Sequence, residues 1–225
     1  MEHAIRPGQI VILNGAPRSG KSSIATAIQE TFGDVWMNLG VDIFAGHVTP
    51  ARFWPGIGLR PGGERPDIED LIPTFYAALY ESIAAHSRLG LNVVVDVGHH
   101  DAYAKPRHIL PACARRLQGL PVLFIGVRCP IKVIMERRNS GPDDYLRGSA
   151  DDPTPRHVLL WQQEVHVPGV YDLEVDTSTM SPMQCAEAIR ECLEEGVLKP
   201  TAFQRLGSRD THDLQSPNAR TMNRA

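Results

Sequence analysis

Gln9–Asn14 (QIVILN) runs directly into Gly15-Ala16-Pro17-Arg18-Ser19-Gly20-Lys21-Ser22, and that junction decides the fold. The first stretch is short, apolar and rich in β-branched residues, which predicts a strand. Ser22–Phe32 then places Ile24, Ala25 and Ile28 on one face at helical spacing, which predicts a helix. A GxxxxGKS sequence between a strand and a helix is the context in which a glycine loop cradles phosphates. Gly15, Ala16, Pro17, Arg18, Ser19, Gly20, Lys21, Ser22 and Ser23 are therefore the candidate nucleotide contacts. Loop N–H groups converge on the phosphates, Lys21 reaches the β and γ oxygens, and Ser22 offers its hydroxyl to Mg²⁺. The implied cofactors are ATP and Mg²⁺. The Arg18 side chain reads more simply as solvated than as a phosphate contact.

Outward from this junction, strand-like and helix-like segments alternate. Val35–Gly40, Leu91–Asp96, Pro121–Val127 and Tyr171–Asp176 read as further strands, Leu91–Asp96 and Pro121–Val127 as continuous apolar runs of the kind found in parallel sheets covered on both faces and Tyr171–Asp176 as an alternating one. Helical spacing is expected over 67–88, 112–117, 131–138, 154–165 and 181–195. Pro73 either kinks the first of these or marks its true start. Ser181, Pro182 and Gln184 form a capping-box sequence for the last, with Gly196 as its stop. Five strands with intervening helices predict a doubly wound parallel α/β sheet whose ligands bind at the carboxyl ends of the strands, with the second strand beside the first. Residues 46–66, crowded with Gly and Pro around Phe53, Trp54 and Ile57, read as an ordered, pocket-forming insertion. The domain is expected to span 1–198, and the polar stretch 199–225 to be a mobile or loosely docked tail.

The chain has 225 residues and a formal net charge of -3. That balance argues against a nucleic-acid or anionic-membrane partner. Apolar runs fall far short of the roughly 20 residues of a membrane span, and the N-terminal sequence lacks the pattern of a secretory signal, so a cytoplasmic location is expected. Cys113, Cys129, Cys185 and Cys192 have no CxxC spacing and read as reduced, mostly buried thiols. Whether the chain forms a homo-oligomer is left open.

Asp96 ends the run Val93-Val94-Val95 and so emerges at the same sheet edge as the glycine loop. A carboxylate there can bind Mg²⁺ alongside Ser22, or merely cap the following turn. Asp42 closes the second strand just before the insertion. It reads as the base that orients or deprotonates an acceptor hydroxyl, or as an N-cap for a helix starting at Ile43. His99 and His100 lack metal-ligand spacing and are expected to contact the loop that borders the substrate. The basic residues late in the 131–138 helix are either phosphate contacts or a solvated helix end favoured by its dipole.

The phosphate loop with Val11-Ile12-Leu13-Asn14 before it, Leu39-Gly40-Val41-Asp42, Val93–Asp96, Val127-Arg128-Cys129 and Tyr171–Thr177 resemble, in order, the motifs of chloramphenicol phosphotransferases, over about Ile10 to Leu193. The resemblance implies a three-layer αβα P-loop kinase fold with a five-stranded parallel sheet, a lid and a pocket-forming insertion. It implies ATP-dependent transfer of phosphate to a hydroxyl of a small molecule, chloramphenicol or a similar antibiotic, with Asp42 as general base. It also implies a lid over about 137–153 whose arginines fold onto ATP, Arg137 and Arg147 being best placed and Arg138 a rival, and a place for Thr177 beside the adenine. The insertion residues Phe53, Trp54, Pro55 and Arg60, the His99-His100 pair and the extension past Lys199 depart from the family pattern. Two other readings remain: a kinase for a different, anionic metabolite, which would recruit Arg52, Arg60 and Arg65, and a nucleotide-dependent switch without turnover.

Overall fold

A computed structural model describes residues 6–140, 152–196 and 199–208. Its strands are β1 (Ile10–Asn14), β2 (Trp36–Asn38), β3 (Asn92–Val97), β4 (Val122–Arg128) and β5 (Leu173–Asp176), joined by the helices α1 (Lys21–Thr31), α2 (Val41–Ile43), α3 (Ile72–Arg88), α4 (Ile109–Arg116), α5 (Ile131–Asn139), α6 (Arg156–Glu164), α7 (Pro182–Glu195) and α8 (Ala202–Gly207). All pairings between strands are parallel, in the order β2-β3-β1-β4-β5. The expectation that the second strand lies beside the first is thus corrected, because β3 is inserted between them.

Side chains alternate across a strand, so β1 sends Ile10 and Ile12 to one face and Val11 and Leu13 to the other. On the first face they meet Val93, Val95 and Phe124 beneath α3, α4 and α8. On the second they join Val94, Leu123 and Ile125 beneath α1 and α7. This two-sided burial explains why these strands read as unbroken apolar runs. A smaller cluster of Cys129, Ile134, Met135, Val158, Trp161 and Val165 ties α5 and α6 to Ala16 in the glycine loop.

Local signals hold at the helix ends. Pro73 stands in the first turn of α3, directly after a 3-10 turn at Glu69–Leu71, and so marks the start of the helix without kinking it. Ser181 Oγ accepts from Gln184 N while Gln184 Oε1 accepts from Ser181 N, completing the capping box of α7. Cys113, Cys129 and Cys185 are buried free thiols and Cys192 is half-buried.

The tail expectation also needs correction, for its first part. Thr201 caps α8 through Gln204, and Ala202 N donates to Asp172 Oδ1 at 2.7 Å. Phe203 enters the core with its ring 4.9 Å from that of Phe124 and 6.3 Å from that of Tyr80. The polar average of 199–225 masked three apolar residues, Ala202, Phe203 and Leu206, whose spacing places them on one helical face. Residues 209–225 lie outside the described residues. Phe203→Ala is expected to cost about 3–5 kcal/mol of unfolding free energy in urea, as for other buried aromatic truncations; a tail that did not dock would leave the midpoint unmoved.

Candidate active site

The glycine loop leaves β1 at Asn14. At Gly15 a Cβ would stand 2.6 Å from the Val127 carbonyl oxygen, so only glycine fits, and Gly20 adopts φ 95° as the residue preceding α1. The first turn of α1 has no side-chain cap and no acidic residue, so its N–H groups are open to an anion. Lys21 Nζ donates to the carbonyls of Gly15 and Ala16, each at 2.9 Å. Burial pushes the Lys21 pKa down, while Asp96 and Asp42 pull it back up.

Parallel register places Leu13 opposite Asp96 and Asn14 opposite Val97, so the acid emerges beside the start of the loop. Ser22 Oγ donates to Asp96 Oδ2 at 2.8 Å. The two groups expected to share a magnesium ion are therefore in contact, and a hydroxyl beside a carboxylate is the hard oxygen set that ion takes. The other oxygen of Asp96 packs against Gly40, where a Cβ would lie only 1.7 Å from Oδ1. Gly40 is also the residue before α2, which puts Asp42 inside the first helical turn and not at its N-cap. Asp42 lines the same cleft and remains in contact with solvent. Its pKa is nonetheless raised, first by the protein surrounding it and then by the Asp96 charge, with Lys21 opposing.

The cleft has a volume of about 720 Å³ and includes Gly15, Ala16, Pro17, Arg18, Gly20, Ser22 and Ser23 in its lining; Ser19 is buried beneath it. Arg137 lines it too, but its guanidinium is directed to the loop: Nη1 donates to the Arg18 carbonyl at 3.2 Å and to Thr177 Oγ1 at 3.1 Å, and Nη2 to the Thr177 carbonyl at 2.7 Å. Thr177 Oγ1 in turn donates to the Ser19 carbonyl at 2.7 Å. Arg138 is buried, with Nη2 3.4 Å from His157 Nε2. Arg147 and most of the expected lid lie outside the described residues.

The two histidines anchor different elements, His99 to α3 and His100 to the insertion. His99 is buried, with Nε2 2.7 Å from the Tyr80 hydroxyl, and burial pushes its pKa down to about 3. His100 Nε2 donates to the Leu59 carbonyl at 2.8 Å, fixing the insertion as the loop-contact reading expected. Among the described residues no group of His, Cys, Asp and Glu forms a metal cluster. Within the insertion, Pro55, Ile57, Gly58 and Arg60 reach the cleft, whereas Phe53 packs on Phe75. The sequence reading missed His157, Val158 and Trp161 on α6, Val97 at the end of β3 and Gly98 after it, all of which line the cleft. For α6 the only signal was an apolar stripe, which reads as core by periodicity and gives no hint that its edge faces a ligand.

Comparison with known proteins agrees with this geometry. The family model described as chloramphenicol phosphotransferase-like protein matches residues 8–194. Two Mycobacterium tuberculosis proteins (strains CDC 1551 and H37Rv), both named "Putative O-phosphotransferase", are each 25% identical over 219 residues, covering 90% of this chain and 89% of theirs. Among solved structures, the shikimate kinase of Acinetobacter baumannii in complex with shikimate superposes with a TM-score of 0.55 at 12% identity, covering 85% of this chain and 96% of its own. The Mycobacterium tuberculosis APS kinase in complex with AMPPNP and APS gives 0.52 at 18% identity, covering 84% and 98%. At these identities the likeness shows the fold, that of P-loop kinases.

The contact of Gly40 with Asp96 is directly testable. Gly40→Ala is expected to lower thermal stability by about 1–3 kcal/mol, the usual cost of overpacking. Gly46→Ala, where a Cβ meets nothing within 4 Å, is the control and is expected to cost far less. Equal melting temperatures for the two variants would show that the Asp96 carboxylate yields freely.

Proposed function

Because the chain belongs to the chloramphenicol phosphotransferase-like family, we propose that it is an ATP- and Mg²⁺-dependent kinase that phosphorylates a hydroxyl of a small molecule, with Asp42 as the general base. The observation that carries this reading is the convergence in one cleft of the glycine loop, the Ser22–Asp96 pair and a second carboxylate, Asp42, with a raised pKa. The nucleotide fits what is present: open N–H groups at the start of α1, a loop that only glycine can form at Gly15, and a cleft large enough for nucleotide and acceptor together.

MgATP supplies the phosphoryl group and part of the charge neutralisation. The protein's own residues do the rest. With nucleotide bound, Lys21 would exchange the two loop carbonyls for the phosphates, and Ser22 and Asp96 would hold the metal. Asp42 orients the acceptor hydroxyl and takes its proton as the oxygen attacks, leaving a phosphate ester and ADP. Arg137 holds Arg18 and Thr177 in place around the loop and lines the cleft, where its charge would help neutralise the phosphates. The family likeness makes chloramphenicol the first acceptor to assay. The fold is equally that of kinases for other metabolites, so a panel of hydroxylated compounds belongs in the same experiment.

Asp42→Asn is expected to reduce transfer by about 10²- to 10⁴-fold, the range for loss of a general base, while nucleotide affinity persists. Full activity in this variant would remove Asp42 from that role. The working form of Asp42 is the carboxylate and its pKa is raised, so kcat/KM is expected to fall as pH drops through a value above 3.8, the ordinary value for aspartate. A limb at or below that ordinary value would contradict the assignment.

A further inference from the structure

The insertion carries three arginines with different surroundings. Arg52 stacks over the Phe53 ring at 4.7 Å. Arg65 is held by Asp67 at 2.8 and 2.9 Å and donates to the carbonyls of Trp54 and Arg52. Neither lines the cleft, and Arg60 does. Its backbone is fixed from both sides. Leu59 is fully buried and its carbonyl accepts from His100, while Gly62 N donates to the Ala102 carbonyl and Gly62 packs close to the Leu160 side chain. Arg60 therefore sits where the insertion meets α6.

The acidic partner of Arg60 is Glu64, at 3.6 Å, with both side chains about one-third exposed (33% and 36%). That separation is well beyond the 2.7–2.9 Å of a charge-assisted hydrogen bond, so the pair leaves donors of the guanidinium for another anion. Across the seam stands His157, whose pKa is pushed down by burial and then by Arg60 and Arg138, against the smaller pulls of Glu64 and Asp152. The imidazole is thus neutral at physiological pH and sits in a positive local field. Pro55, Ile57, Val158 and Trp161 supply apolar surface around this polar end.

We propose that Arg60, across the cleft seam from His157, recognises the acceptor, and that the acceptor is an amphipathic hydroxyl compound bearing a carboxylate that Arg60 binds. This inference rests on the phosphotransfer reading, since it names the substrate class of the same cleft. A planar guanidinium fork matches a carboxylate in a way a neutral substituent cannot. The apolar wall takes the body of the molecule, and its hydroxyl is presented to Asp42.

The test uses the full chain with Mg²⁺ and AMPPNP, titrated calorimetrically with 4-(hydroxymethyl)benzoate, shikimate and gluconate, each against its neutral methyl ester or amide, and with uncharged chloramphenicol. At least one acid is expected to bind at least about tenfold more tightly than its neutral counterpart, a difference of about 1.4 kcal/mol. Arg60→Gln is expected to abolish that preference without altering AMPPNP affinity, and Arg60→Lys to recover part of it. Equal binding of acids and neutral analogues, binding of no acid, or weakened AMPPNP binding in Arg60→Gln would each overturn the proposal, the last by assigning Arg60 to the nucleotide. Binding needs no chemistry, so the two readings fail separately. An acid that binds through Arg60 but gains no phosphate from ATP would count against phosphotransfer alone. Phosphorylation of neutral acceptors only would count against the carboxylate site alone.

Discussion

The site depends on where the Asp96 carboxylate is held. The β3 strand lies between β2 and β1, the β2 ladder stops at Val94, and the ladder to β1 holds its carboxyl end and aligns Asp96 with the last residues before the glycine loop. One carboxylate oxygen accepts from Ser22 at the start of α1, and the other touches the backbone of Gly40 before α2. A single side chain thus joins the phosphate loop to the segment that carries Asp42. The close approach also has an electrostatic consequence: a second carboxylate near Asp96 resists ionisation, and Lys21 only partly offsets this. Proton affinity at Asp42 is therefore raised first by its burial and then by the Asp96 charge, which the close packing on Gly40 keeps beside the segment that carries Asp42.

The acceptor side is held by buried polar ties more than by regular structure. His100 binds the Leu59 carbonyl, and Glu69, almost fully buried, accepts from Ala104 N. Asp101 accepts from the backbone N–H groups of Arg107 and His108. Each tie fixes one irregular segment against another, which is how a Gly- and Pro-rich insertion can present Ile57 and Arg60 at defined positions. The nucleotide side uses the same device. Arg137 and Thr177 bridge the loop carbonyls of Arg18 and Ser19 to the end of β5, so the loop is supported from beneath.

The sequence by itself determined the elements whose signals are local. The apolar runs of β1, β3 and β4, the GxxxxGKS loop, the capping box at Ser181 and the proline at the start of α3 each state their structure within a few residues. Lys21, Ser22 and Asp96 were legible for the same reason, since a motif or a strand end fixes their place. Tertiary structure alone decided the strand order, because parallel crossovers of similar length permit β2 to land beside β1 or beyond β3. It decided that Gly40 must be glycine, that Phe203 docks in the core, and that α6 turns His157 and Trp161 toward the cleft. Those features depend on atoms brought together from distant parts of the chain, and residue spacing carries no record of which distant surface a side chain will meet.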